Sequence, residues 1–278
     1  MKTHQRKLPF AMLAAGCALA TGAEVAMATP PVPFKLTNVH FETNASACDM
    51  GIQISFDTEG VSEGSVTDPY GQVVYQFGGV GSPEVTHNIT EGFQERVEPQ
   101  IFELIQALGC ERSDEEPEIF LTELLSAWPE GKYIFASQSE DANYRGFARL
   151  SYKVPAGPEI LTPEDGDVVP HDTHLPIRWK KVTDPILPTL GPVEIVGYHV
   201  LVVDITNPVL QPGKTKISFD ADVSKAETSF LVPRQYLEPN RIYEFEILAT
   251  EKGGNQTITE GGIFCTRPIA PADCELPD

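Results

Sequence analysis

Between residues 159 and 268 the chain is a succession of short apolar–polar alternations, each closed by proline, glycine or asparagine, and that rhythm admits few folds. Leu175-Pro176-Ile177-Arg178-Trp179 places Leu175, Ile177 and Trp179 on one face of an extended segment. Glu194 to Val203 is a longer run of β-branched and aromatic residues, and Thr215 to Asp220 and Thr228 to Val232 are shorter ones. Tyr243 to Ala249 alternates cleanly, Gly253-Gly254 supplies residues that tolerate positive φ at a hairpin, and Thr257 to Phe264 returns as the last strand. No stretch of this half carries the period of a long amphipathic helix. Many short strands at regular spacing bury their inner faces by stacking two sheets, so this half predicts a β-sandwich.

Three features carry a family resemblance: Trp179 on an early strand, the long strand around Tyr198, and Leu237-Glu238-Pro239-Asn240-Arg241-Ile242-Tyr243 running into a strand. Together they resemble the fibronectin type III pattern over residues 158–268. The resemblance implies that Trp179 packs in the core and that Leu237, Pro239 and Tyr243 build a tyrosine corner at the start of the penultimate strand. The segments Glu194 to Tyr198, Tyr243 to Glu246 and Gly254 to Glu260 are also similar to a group of exported bacterial proteins bearing this domain. That similarity implies no particular activity.

The half before Val154-Pro155-Ala156-Gly157-Pro158 is less regular. Phe34 to Phe41, Gly51 to Phe56, Gln72 to Phe77, Lys132 to Ala136 and Arg145 to Tyr152 are strand-like, and Asp68-Pro69-Tyr70-Gly71 is a turn. Ile101, Leu104, Ile105 and Leu108 follow helical spacing, as do Phe120, Leu121, Leu124 and Leu125, with the acidic run Glu111 to Glu118 as a loop between them. Trp128-Pro129-Glu130-Gly131-Lys132-Tyr133 echoes Leu237 to Tyr243: the proline-to-tyrosine spacing agrees, and the large apolar residue sits one position closer to the proline. The expectation is a mainly β chain of two tandem sandwich domains. Residues 29–154 form the first, with a short helical insert near 100–126, residues 158–268 form the fibronectin type III-like second, and 269–278 are a tail.

Residues 1–28 combine a basic start (Lys2, Arg6, Lys7), an apolar core and Ala26-Met27-Ala28, the pattern of a removed secretory signal, which predicts a secreted or periplasmic chain. Lipid attachment at Cys17 is the competing reading; Ala14 three positions earlier and the continuing apolar run argue against it. No later segment is long and apolar enough to span a membrane. Without residues 1–28 the chain keeps 17 basic and 39 acidic residues, a net charge of −22, which repels nucleic acid and anionic membranes. Cys48, Cys110, Cys265 and Cys274 remain, an even number that favours disulfides after export. Of the three possible pairings, Cys48–Cys110 with Cys265–Cys274 keeps each bond within or beside one domain.

The chain carries few motifs of catalytic or ligand-binding chemistry. There is no nucleophile elbow, no phosphate-binding loop and no dinucleotide fingerprint, and Gly78-Gly79-Val80-Gly81 leads to Ser82-Pro83 rather than a helix. His171-Asp172-Thr173-His174 lies between Pro170 and Pro176 and reads as exposed loop histidines. Asp49, Asp57, Glu59 and the run Glu164-Asp165-Gly166-Asp167 offer oxygen ligands but no EF-hand loop, so no metal or cofactor is expected. The sequence therefore predicts a non-enzymatic binding or structural module whose partner is a protein or a glycan. For the glycan alternative, a carbohydrate-binding or enzyme-accessory module, Tyr70, Tyr75 and Tyr144 are the aromatics least committed to a core.

Overall fold

The computed structural model describes residues 30–79, 88–139, 142–206 and 218–276; the expected signal segment, with Cys17, lies outside them. The first half folds through β1 (Val32–Pro33), β2 (Leu36–Asn44), β3 (Asp49–Val61), β4 (Glu63–Thr67), β5 (Val73–Gly78) and β6 (Ile89–Glu95). It continues with β7 (Gln100–Ile101), α1 (Phe102–Leu108), β8 (Glu118–Ile119), α2 (Leu121–Ala127), β9 (Gly131–Gln138) and β10 (Asn143–Leu150). One sheet has the order β1-β10-β9-β4-β5; β2, β3 and β6 pair in the facing layer, which β7 and β8 extend. Between the layers lie Phe41, Ile52, Ile54, Phe56, Tyr133 and Phe135, all buried. This is a sandwich with a helical insert between β6 and β9.

The insert is short because its caps are local. Gly109 ends α1 in the left-handed region at φ 80°, where its N–H reaches the Ile105 carbonyl. Leu121, the first residue of α2, donates its N–H to Glu103 Oε2 of α1 at 2.9 Å, so one helix caps the next. Leu104, Ile105, Leu121 and Leu124 are the buried face. Phe120 and Leu108, expected on that face, stay exposed.

The second half runs β11 (Ile160–Thr162), β12 (Asp167–Val169), β13 (Leu175–Trp179), β14 (Ile195–Asp204), β15 (Ser218–Ser224), β16 (Ser229–Val232), β17 (Ile242–Glu251) and β18 (Gln256–Thr266). A three-stranded sheet β11-β13-β16 faces β15-β14-β17-β18, and β12 pairs in parallel with β18. Of the strand expected from Thr215 to Asp220, residues 215–217 lie outside the described ones, and the described strand β15 runs past Asp220 to Ser224. At the β17–β18 hairpin Gly254 alone takes positive φ, at 101°.

The two sandwiches are joined by more than a linker. Strand β18 pairs in parallel with β2, Gln256 opposite Glu42, Thr257 opposite Thr43 and Ile258 opposite Asn44, so one ten-stranded sheet runs through both. Asn255, 1% exposed, accepts from the Phe41 N–H at 2.9 Å and donates to the Ser151 and Lys153 carbonyls at 2.7 and 3.1 Å. Thr257 Oγ1 donates to the Pro155 carbonyl at 2.6 Å. The β13–β14 connection crosses the boundary too: Ile186, Leu187 and Leu190 are buried in the core of the first sandwich. Residues 31–278 accordingly form one compact unit.

Candidate functional site

Each position expected from the fibronectin resemblance has a definite place. Trp179, 1% exposed, meets Tyr198 edge-on with ring centroids 5.3 Å apart. The Tyr243 hydroxyl accepts from the Glu238 N–H at 2.9 Å and donates to the Tyr236 carbonyl at 3.3 Å; Leu237 is buried beneath, and Pro239 precedes Asn240, which turns the chain at φ 61°. Cys48 is bonded to Cys110, and Cys265 to Cys274.

The sites searched for in the sequence do not come together. His174 Nδ1 accepts from the Arg234 N–H at 3.3 Å in a loop, with no ligand group formed around it among the described residues. Asp57 and Glu59 share Lys35, at 3.7 and 3.0 Å. Asp165 Oδ1 accepts from the Ile263 N–H and Asp167 Oδ2 from the Glu164 N–H, which fixes the turn into β12. Of the three tyrosines considered for sugar stacking, Tyr70 is 77% exposed, Tyr75 packs against the core beside Phe77, and Tyr144 is buried. They form no common platform.

A different set of polar side chains does converge, on the outer face of the ten-stranded sheet beside the seam. Residues at alternate positions share a face, and the register sets Glu42 opposite Gly51, Asn44 opposite Asp49, and Gln53 opposite both His40 and Glu95. Gly51 leaves a gap that Glu98 fills: a Cβ there would lie 2.5 Å from Glu98 Cγ. Gln53 Nε2 donates to Glu42 Oε1 at 2.6 Å and to Glu95 Oε1 at 2.9 Å, while Gln256 of the second sandwich donates to the other Glu42 oxygen. One carboxylate oxygen each from Glu42, Glu95 and Glu98 lies within 4.8 Å of the others.

The electrostatics are one-sided. Burial pushes the Glu98 carboxyl up to about 8, and Asp49, Glu42, Glu95 and Glu116 push in the same direction. Burial raises Asp49 to about 6, with Glu116, Glu260 and Glu42 adding to it and an Asn44 backbone hydrogen bond opposing. Glu42 is raised by burial and by Glu95 against the hydrogen bonds from Gln256 and Gln53. His40, pushed down to about 4 by burial, stays neutral and balances none of this charge. No lysine or arginine among the described residues forms an ion pair with these four acids. Of this group only Asp49 stood out in the sequence, because the others meet through strand register and not through spacing.

No family model and no curated protein matches the chain. Solved structures do align with it. A fourth FNIII domain of human origin is 18% identical over 42% of this chain and 80% of its own, with a TM-score of 0.27. A two fibronectin type-III domain segment from chicken tenascin is 12% identical over 83% and 97%, with a TM-score of 0.26. The chicken CNTN1 FN1-FN3 domains are 11% identical over 84% and 68%, with a TM-score of 0.28. At such values the fibronectin-like description rests on the strand order and the Tyr243 corner.

Proposed function

We propose that the chain is an exported, non-enzymatic modular protein with a binding or structural role in the cell envelope, its two sandwiches working as one unit. The observation that carries this reading is the seam. Strand pairing, the buried Asn255 and the crossing β13–β14 connection all hold the two modules in one arrangement, which suits a part that presents surfaces at fixed spacing. In this reading residues 1–28 are removed, 29–154 and 158–268 are the two domains, and 269–278 are a tail tied back through Cys265–Cys274. An oxidising compartment, secreted or periplasmic, fits the two disulfides. The acidic surface favours a basic or cation-carrying partner, protein or glycan, over nucleic acid.

Two measurements test this. Cell fractionation with thiol alkylation should find the chain outside the cytoplasm, starting near Thr29 and without free thiols; a cytoplasmic, reduced and unprocessed chain would overturn the export. A panel of polysaccharide, peptide, ester and phosphoester substrates should give no turnover with the purified chain. Robust turnover of any of them would overturn the non-enzymatic reading.

A further inference from the structure

We propose that Glu42, Glu95 and Glu98, with Asp49 beside them, form a binding site for a hard divalent cation of the calcium class at the seam of the two sandwiches. The donors are all oxygens, the set that suits calcium and not a thiolate- or imidazole-seeking metal. Two oxygens on opposite sides of a calcium ion, each at about 2.3–2.6 Å, are about 5 Å apart, and the three glutamate oxygens lie within 4.8 Å of one another. They already stand at the separation that one shared ion requires.

Asp49 supplies a second, independent observation. It is 8% exposed, and its Oδ1 is buried with no hydrogen-bond partner. It occupies the same face of β3 as Gly51, two positions away, where Glu98 crosses the strand, and it is the charge that acts most strongly on Glu98. Glu98 Oε1 is likewise buried and unpartnered. Buried carboxylate oxygens without a donor are rare because their lost hydration is not replaced. Glu98 belongs to the group of three whose other two members, Glu42 and Glu95, are already oriented by Gln53, and Asp49 shares the β3 face that Glu98 covers. A cation held there would replace the hydration these oxygens have lost.

The test uses the full oxidised chain, stripped with chelator, in thermal melts and calorimetric titrations with calcium chloride. Calcium should raise Tm in a saturable way, and magnesium should do so far less. Glu98→Gln is isosteric and removes one charge from a group of like charges, so it keeps the fold. It should melt at or above the wild-type temperature without calcium and lose at least tenfold in calcium affinity; Glu95→Gln should weaken binding in the same direction. A wild-type Tm unmoved up to about 10 mM calcium, above the range of weak extracellular sites, overturns the proposal. So does an equal response to magnesium, or a Glu98→Gln chain that retains the full calcium shift.

Discussion

The two sandwiches solve the same corner in different ways. In the second, Tyr243 does two jobs with one hydroxyl: it accepts the Glu238 N–H and donates to the Tyr236 carbonyl. In the first, Tyr133 stands at the same distance after its proline but only donates, to the Pro129 carbonyl at 3.1 Å. The neighbouring Glu130 N–H is taken by Tyr152, whose hydroxyl in turn donates to Leu125 at the end of α2. The helical insert is what separates the cases. It brings an orphan carbonyl to the corner, and a second tyrosine has to cover both groups. A corner is thus a set of backbone groups to be satisfied, and one residue or two can satisfy them.

The largest difference to test lies in the disulfides. Cys48–Cys110 closes a separation of 62 residues and ties the insert to the β2–β3 turn, whereas Cys265–Cys274 closes 9. In the chain-entropy model their removal costs about 4 and about 2.5 kcal/mol respectively. Urea unfolding of Cys48→Ser/Cys110→Ser and of Cys265→Ser/Cys274→Ser should rank in that order. The reverse order would mean that the first sandwich gains its order from packing and not from the cross-link.

Next comes the seam, where the comparison can be broken outright. Asn255→Ala removes an acceptor from the buried Phe41 N–H and donors from the part-buried Ser151 and Lys153 carbonyls. Leaving such groups unpaired costs about 2–3 kcal/mol. The more telling readout is calorimetric. The wild-type chain should unfold in one transition, and the variant in two, one for each sandwich, because the shared sheet no longer couples them. A single transition at an unchanged temperature would count against the seam as the coupling element.

The second sandwich was far more legible in the sequence than the first, and the reason is locality. Leu175 to Trp179 alternates over five residues, and the span Leu237 to Tyr243 contains its own turn, so each can be read without knowing its neighbours. Strands β4 (EGSVT) and β6 (ITEGFQE) were missed because small or exposed residues fill them: no β6 residue is fully buried, and Gly64 and Gly92 make room for Phe77 and Phe56. Strand β12 was hidden in an acidic turn. Neither the β2–β18 pairing nor the Glu42, Glu95 and Glu98 cluster leaves a local trace, since Glu42 and Gln256 are set opposite one another only by a register across two modules. The helical insert was legible as a period change, but not the reach of Ile186, Leu187 and Leu190 into the first core.

The acidic face near the seam should also distinguish the two sandwiches by pH. Glu98 and Asp49 titrate at about 8 and about 6 in the folded chain, against 4.5 and 3.8 as ordinary values, so between those limits the native state holds more protons than the unfolded one. Stability is then greatest at the acid end and falls as pH rises from about 4 to 8. The carboxylates facing Glu98 are Asp49, Glu42, Glu95 and Glu116, all acting in the same sense. Because Glu98 still touches water, screening reduces the loss to about 1–2 kcal/mol. Glu98→Gln should flatten the slope in calcium-free buffer; an unchanged slope would assign it to other acids, Glu246 among them, which burial and Glu260 also raise.

The smallest effect returns to the corners and is the sharpest test of what separates them. Tyr243→Phe removes both hydrogen bonds of its corner at once and strands a part-buried N–H, a cost of about 1–2 kcal/mol. Tyr133→Phe removes one donor whose carbonyl partner keeps a second lone pair, and the Glu130 N–H remains with Tyr152, so the cost is about 0.5–1 kcal/mol. If the first corner really is divided between two residues, Tyr152→Phe should cost as much as Tyr133→Phe or more. The double variant should then approach the single loss at Tyr243. Chemical unfolding of the four variants measures all of these against one wild type. A Tyr133→Phe loss equal to that of Tyr243→Phe, with Tyr152→Phe neutral, would mean that Tyr133 carries its corner alone and that the insert leaves the corner unchanged.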